Sequence, residues 1–310
     1  MSIEFLKSGL QTSLQDFGFH GQMHNGISAS GAMDPIAMEL ANWLVSKPKK
    51  STLLEITLVG PILKFTTDMQ IAICGAYFDC LLNKTKVENN TTIKVETGDI
   101  LTFNKLKYGA RAYLAFTGSL IQQQFLNSFS THLSSGFGSN LGKRFKVGDK
   151  IKLHHCHNTP VRKLPKQLQP YYSNHIQIRV TQGIEADCFN AENLNLLYSQ
   201  THTVSNDFNR MGIRLNSKSI KMGSSQSMTS SGITQGTIQI PADGQPIITS
   251  VEGQTIGGYP RIANIIQADL HLLGQLKVSH KINFVKVDVD YAQQLWKQKS
   301  RLLSLGGVLG

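Results

Sequence analysis

The chain has 310 residues, 40% hydrophobic and 16% charged, which excludes a disordered polymer and provides for two ordinary cores. Its 31 Lys and Arg against 20 Asp and Glu give a net charge of +11, but the densest basic stretches, Lys47–Lys50 and Lys143–Lys152, lack the interleaved aromatics or helical register of a nucleic-acid reader, so no nucleic-acid partner is expected. Four irregularly spaced cysteines (Cys74, Cys80, Cys156, Cys188), no apolar run of about eighteen residues, and no basic-then-apolar leader at Met1-Ser2-Ile3-Glu4-Phe5 point to a reduced, cytoplasmic protein without a membrane partner.

Along the first half, apolar runs of strand length alternate with Gly, Asn and Asp: Leu53–Val59, Ile62–Thr66, Gln70–Cys74, Thr92–Val95, Ile100–Phe103 and Ala110–Phe116. One helix interrupts them. Asp34 suits an N-cap, Pro35 the first helical position, and Ile36, Leu40, Ala41 and Leu44 recur at helical spacing. From His154 to His175 the periodicity lapses among Pro160, Pro165 and Pro170, which marks residues 156–175 as a linker between a lobe at 1–155 and a lobe at 176–310. The second lobe repeats the strand texture at Ile176–Thr181, Thr237–Ile240, Ile247–Val251, Arg261–Ile266 and Lys281–Val287. It ends in a helix after Asp290 with Ala292, Leu295, Trp296, Lys299 and Leu302 along one side. Three phrases echo one another, Glu96-Thr-Gly-Asp-Ile-Leu-Thr-Phe103, Lys146-Val-Gly-Asp-Lys-Ile-Lys-Leu153 and Lys277-Val-Ser-His-Lys-Ile-Asn-Phe284; each reads as a tight turn feeding a strand, although such phrases also recur by chance in β proteins.

Several candidate sites weaken on inspection. Gly136-Phe-Gly-Ser-Asn-Leu-Gly-Lys143 lacks the glycine spacing of a phosphate loop, and Arg144 stands where a hydroxyl residue would reach magnesium. Adjacent side chains in His154-His-Cys-His157 point to opposite faces of an extended chain, so a metal site is not expected. The cysteines form no C-x-x-C pair. The richest stretch is Gly236–Pro246 followed by Gly253-Gln-Thr-Ile-Gly-Gly-Tyr-Pro-Arg261, where paired glycines would let backbone N–H groups approach a ligand closely, or would simply turn a barrel corner.

The phrases Gly9-Leu-Gln-Thr-Ser-Leu-Gln-Asp16, Ser30-Gly-Ala-Met-Asp-Pro35, Leu54-Glu-Ile-Thr57, Arg210-Met-Gly-Ile-Arg-Leu215, Ile238-Gln-Ile-Pro241, Asp243-Gly-Gln-Pro246 and Gly257-Gly-Tyr-Pro-Arg261 resemble, in order, those of the family of 5-oxoprolinase C subunits. This is also the allophanate hydrolase subunit 2 or biotin-dependent carboxyltransferase-like family, related to the carboxyltransferase domain of urea amidolyase. The resemblance implies a mainly β fold of two cyclophilin-like β-barrel lobes with a few helices. It further implies an enzyme component that works with partner A and B subunits in ATP-dependent opening of 5-oxoproline to glutamate. Its alternatives are biotin-dependent carboxyl transfer to urea or a similar small amide, and regulatory binding of a kinase inhibitor that is itself similar to the B subunit.

On the matching positions, the resemblance makes Asp34, Glu55, Arg210 and Arg261 the candidate catalytic residues, and Ser30, Gly31, Arg214, Gln239, Gln254, Thr255, Gly257, Gly258 and Tyr259 the candidates for substrate or nucleotide binding. Guanidinium groups suit a polyanion or carboxylate, glycine amides an oxyanion, and carboxylates proton handling. Each has an ordinary structural alternative. Asp34 is a helix cap, Glu55 the partner of a buried arginine, Arg210 and Arg261 are braces, Tyr259 a corner aromatic, and Gln239 and Gln254 satisfy loop backbone. Three positions depart from the family pattern: Phe19 where an arginine commonly follows Asp-x-Gly, His132 where an acid is usual, and Ile256 where a threonine often stands.

Overall fold

The structure, a computed structural model, describes residues 1–223 and 228–304. They form two compact units: Met1–His20 with Ala29–Ser173, and Gly21–Ser28 with the chain from Asn174 onward. The fold is mainly β, with three α-helices among the described residues.

The first unit is built on a ten-stranded sheet. Its main path runs Gln11–Gln15, Leu53–Thr57, Ile100–Phe116, Ile62–Phe65, Ser2–Lys7, Lys150–His154, Ser119–Leu120, and Met69–Leu82 pairs along Ile100–Phe116. Two strands are much longer than the sequence suggests, because Ile100–Phe103 and Ala110–Phe116 are ends of one strand joined by the polar stretch Asn104–Gly109. Register shifts between Gly75 and Cys80 bend this long pair so that one sheet can wrap a core. That core holds Phe5, Phe65, Phe78, Phe116 and the alternate aliphatic residues of each strand. The helix Pro35–Leu44 starts where expected, with the Asp34 carboxylate accepting from the Ala37 amide at 3.0 Å, and buries Ala37, Met38, Leu40, Ala41 and Leu44.

The segment expected to be a linker belongs to this unit as far as Ser173. Its prolines remove periodicity but not hydrogen bonding. Thr92 donates to the Arg162 carbonyl and Leu164 to that of Asn90, while Leu164 and Tyr172 are buried.

The second unit is a closed barrel of seven strands in the order His175–Gln182, Arg261–Ile265, Thr237–Gln239, Ile247–Thr249, Gly212–Asn216, His202–Phe208, Lys281–Lys286, the last pairing in parallel with the first. Inward residues such as Ile178, Val180, Ile213, Leu215, Ile238, Ile248 and Phe284 fill it. A helix at Ala191–Ser199, capped by Asn190, has no counterpart among the expected elements; its apolar stripe is short and Leu197 is its buried residue. The C-terminal helix spans Val289–Ser304. On it Leu302 is exposed and Leu303 half-buried, one position away from the expected side.

The three echoing phrases share one local structure. Gly98, Gly148 and Ser279 all have left-handed backbone, with φ of 99°, 87° and 68°. In each, that residue and the next exchange hydrogen bonds with one strand residue: Gly98 and Asp99 with Phe65, Gly148 and Asp149 with Phe5, Ser279 and His280 with Val204. Asp99 and Asp149 also accept from the amides of Glu96 and Lys146, closing their turns through the carboxylate. His280 replaces that acid in the third turn, and both of its ring nitrogens are buried without a hydrogen-bond partner.

Candidate functional site

The barrel of the second unit carries an open cleft of about 380 Å³. Strand parity explains its lining. Ile213 and Leu215 point into the core, so Gly212 and Arg214 face out; Ile248 points in, so Ile247 and Thr249 face out; Ile238 points in and Gln239 out. Met211, Ile233 and Tyr259 add apolar wall, and Gln254, Gly257 and Gly258 complete the rim with Asp207 and Asn209.

Gln239 is nearly buried, and its Nε2 donates to the Tyr259 carbonyl at 3.2 Å, which orients the amide. A Cβ at Gly257 would come 2.7 Å from that same Nε2, so a larger residue there would push the Gln239 amide from this position. Arg214 is ion-paired with Asp243, which holds its guanidinium at the cleft edge. Tyr259 is 52% exposed, an aromatic face open to a ligand. Asp207 and Asn209 escaped the sequence reading; the signal was their place just before the Arg210-Met-Gly phrase, where the chain turns from one cleft strand into the next.

Two expected catalytic arginines are not in this lining. Arg210 is 3% exposed, and its Nε donates at 2.6 Å to the fully buried Glu252. The same residues are joined through the backbone, Glu252 N–H to Arg210 C=O at 2.8 Å. Arg210 therefore pins the turn at 250–253 that leads into Gln254. Arg261 donates Nε to Glu185 at 2.6 Å, pairs with the other carboxylate oxygen through Nη2, and donates Nη1 to the Gly232 carbonyl at 2.8 Å. Those bonds to Arg261 hold the Glu185 carboxyl below the usual range. Since Ser231–Gly232 pairs with Ile256–Gly257, Arg261 braces the glycine corner from behind. Thr255 likewise works through its backbone, accepting from Ile233 N–H at 3.0 Å.

The remaining expected residues lie in the first unit. Asp34 is completely buried, capping its helix through one oxygen and accepting from Tyr172 Oη at 2.6 Å through the other. Glu55 accepts from Met33 N–H and from Tyr113 Oη, both at 2.9 Å, with Arg111 Nε 3.7 Å from its other oxygen. Burial, reinforced by these carboxylates, pushes the Tyr113 and Tyr172 hydroxyls well above their ordinary range. Ser30 and Gly31 sit at left-handed φ of 51° and 83° in the turn before this network, where a Cβ on Gly31 would meet the Asp16 and Phe17 carbonyls at 3.0 Å. Asp16 accepts from Ser128 Oγ and Ser130 Oγ, each at 2.6 Å, a cage the sequence did not signal. The departures Phe19 and His132 meet in one cluster, ring centroids 6.3 Å apart, and His132 packs 4.5 Å from Phe137. Among the described residues no three His, Cys, Asp or Glu side chains gather as metal ligands, and His154 and His155 stack edge to face at 4.6 Å.

This two-unit β framework matches known proteins. The family model for the carboxyltransferase domain, subdomains A and B, matches residues 25–286. The chain belongs to this carboxyltransferase family. Within the family it is 32% identical over 300 residues to the 5-oxoprolinase C subunit of Escherichia coli K12, covering 96% of each chain. It is 30% identical over 313 residues to urea amidolyase of Saccharomyces cerevisiae, covering 95% of this chain and 17% of that enzyme. In structure it superposes on urea carboxylase of Kluyveromyces lactis with a TM-score of 0.92 at 31% identity, over 97% of this chain and 29% of that one. These relatives are components of multi-subunit or multi-domain enzymes, and no helix among the described residues is long and apolar enough to cross a membrane.

Proposed function

We propose that this chain is the C-type component of an ATP-dependent 5-oxoprolinase, receiving 5-oxoproline in the second-unit cleft and opening it to glutamate with the A and B subunits. The observation that carries this reading is the incompleteness of the cleft. It offers an oriented amide (Gln239), a guanidinium (Arg214), a carboxylate (Asp207) and apolar walls sized for a small molecule, but among its lining residues no nucleophile paired with a base. Such a site recognises; it needs partners for the rest of the chemistry. Opening an unstrained lactam requires activation of a poorly electrophilic carbonyl, and phosphorylation of its oxygen by ATP meets that need. The cleft itself suits no triphosphate, since Arg214 is its one lining cation among the described residues and shares its charge with Asp243, Asp207 adds a negative charge, and Arg210 and Arg261 lie outside the lining. ATP is accordingly assigned to the partner subunits. The match along 96% of the Escherichia coli protein supports the reading.

Reconstitution with the A and B subunits from the same source, following glutamate and phosphate release, tests it. The full mixture should turn over 5-oxoproline, and no gain over the two partners alone would overturn it. A second reading, carboxyl transfer from a partner's carboxybiotin to a small amide, is favoured by the fold match to urea carboxylase. Carboxylation of urea from free carboxybiotin by the purified chain would favour it over the first.

A further inference from the structure

Arg214, the cation of the cleft lining, is only partly engaged. Its Nη2 is ion-paired with Asp243, while its Nε and Nη1 hydrogen-bond to nothing among the described residues. Asp243 itself lies outside the lining, in the turn 241–244 that joins the cleft strands Thr237–Gln239 and Ile247–Thr249. That turn is fixed on several sides. Gly244 N–H bonds the Pro241 carbonyl at 2.9 Å, Ile220 N–H bonds the Gly244 carbonyl at 3.0 Å, and Ser219 Oγ donates to the Asp243 carbonyl at 3.1 Å. Asp243 Oδ1 accepts from Gln245 N–H at 3.0 Å, which leaves Oδ2 for Arg214. Gln245 in turn holds both backbone groups of Ser217, at 2.9 and 3.1 Å, and Ser217 directly follows the strand Gly212–Asn216 that carries Arg214. The carboxylate is thus set by backbone relative to the guanidinium it meets.

The fold gains little from this pair, because its side chains are 29% and 48% exposed and an ion pair so open to water is weak. Its consequence lies in where it leaves Arg214. The other polar groups of the lining complement that cation. The Asp207 carboxylate makes no hydrogen bond among the described residues, and Asn209 Oδ1 is taken by the N–H groups of Met211 and Gly212 at 2.7 and 3.1 Å, so Nδ2 remains as its donor. A cation and an anion in one small cleft suit a ligand that carries both a carboxylate and an N–H donor. Urea, which has no carboxylate, would gain nothing from Arg214.

Resting on the 5-oxoproline reading above, we infer that Arg214 selects ligands by their carboxylate and that Asp243 is the positioning residue that aims it. Two effects of Asp243 oppose each other. Its charge repels an anionic ligand, but weakly, since the group is half exposed and screened by salt. Its bond to Nη2 fixes a long side chain before the ligand arrives, so less rotamer freedom is lost on binding. The second effect outweighs the first.

The test titrates the purified intact chain, by ligand-observed NMR, with 5-oxoproline, with 2-pyrrolidinone, which is the same lactam ring without the carboxylate, and with urea. The parent should bind 5-oxoproline at least about tenfold more tightly than either neutral amide, and Arg214→Gln should erase that preference. Asp243→Ala should weaken 5-oxoproline roughly fivefold and leave 2-pyrrolidinone unchanged, although it removes a negative charge beside the cation. Asp243→Asn keeps an acceptor and should recover most of the loss. All three variants should keep the parent melting temperature. Tighter or unchanged binding of 5-oxoproline by Asp243→Ala would overturn the positioning role. Equal affinity of the parent for both lactams would overturn the selection by carboxylate. Neither result touches the 5-oxoproline reading, which turnover by the reconstituted mixture decides separately. A parent chain that binds no 5-oxoproline, in a mixture that turns it over, would end the roles of Arg214 and Asp243 and keep the assembly; absence of both binding and turnover would end both.

Discussion

The two units treat the same kinds of side chain in opposite ways. In the first, Asp34 and Glu55 are sealed in a network with Tyr113, Tyr172 and Arg111, with no more than 2% exposure for either acid or the arginine. In the second, polar residues divide into supporting pairs, the buried Arg210–Glu252 and the half-buried Arg261–Glu185, and cleft-lining groups, Gln239, Arg214 and Tyr259. The charged residues expected to do chemistry are each bonded to their own surroundings, Asp34 to a helix N-terminus, Glu55 to Met33 and Tyr113, Arg210 to Glu252 and Arg261 to Glu185, and the groups lining the cleft are mostly neutral. A fixed charge is worth most to the fold where water is excluded, and there it is least available to a small substrate.

The largest effect that would sharpen this contrast comes from the supporting pairs. Arg210→Ala leaves Glu252 without that guanidinium in the interior and should cost about 3–5 kcal/mol in urea unfolding, with the Arg210→Ala, Glu252→Ala double variant recovering part of the loss. If Arg210→Ala instead unfolds like the parent while turnover collapses, Arg210 belongs with the cleft.

Next comes the pH response of the second unit. Burial, with Lys277 nearby, pushes His280 down to about 4 from its ordinary 6.5. Below pH 6.5 the unfolded chain takes up a proton that the folded chain resists, so stability should fall as pH drops from 6.5 and level off near 4, by up to about 3 kcal/mol. Urea midpoints across this range should show the slope for the parent and a flatter line for His280→Gln.

Among the cleft-lining groups, Gln239→Ala should lower kcat/KM of the reconstituted enzyme about 100-fold while shifting stability by no more than about 1 kcal/mol. An equal loss of stability and activity would move Gln239 to the supporting group. The smallest effect concerns the third turn: Ser279→Gly, which relieves a left-handed serine where the first unit has glycine, should stabilise by about 0.5–1 kcal/mol in the same unfolding assay.

Much of this was legible in the residues. Asp34-Pro35 announced a capped helix, the Gly-Asp phrases announced turns that recur with one hydrogen-bond pattern, and the Gly257-Gly-Tyr-Pro-Arg261 phrase marked the corner of the cleft. These are local features, governed by backbone conformations that a few neighbouring side chains dictate. Arg210, Arg214 and Arg261 were alike in one dimension, and only strand parity and the distant acids Glu252, Asp243 and Glu185 gave them different work. Residues 156–175 read as a linker because the anchors of this segment in the first unit, Asn90, Thr92 and Asp34, lie more than sixty residues away. Local order was thus written in the sequence, whereas the burial of each charge and the choice of its partner depended on contacts between residues far apart in the chain, which only the folded barrel and sheet bring together.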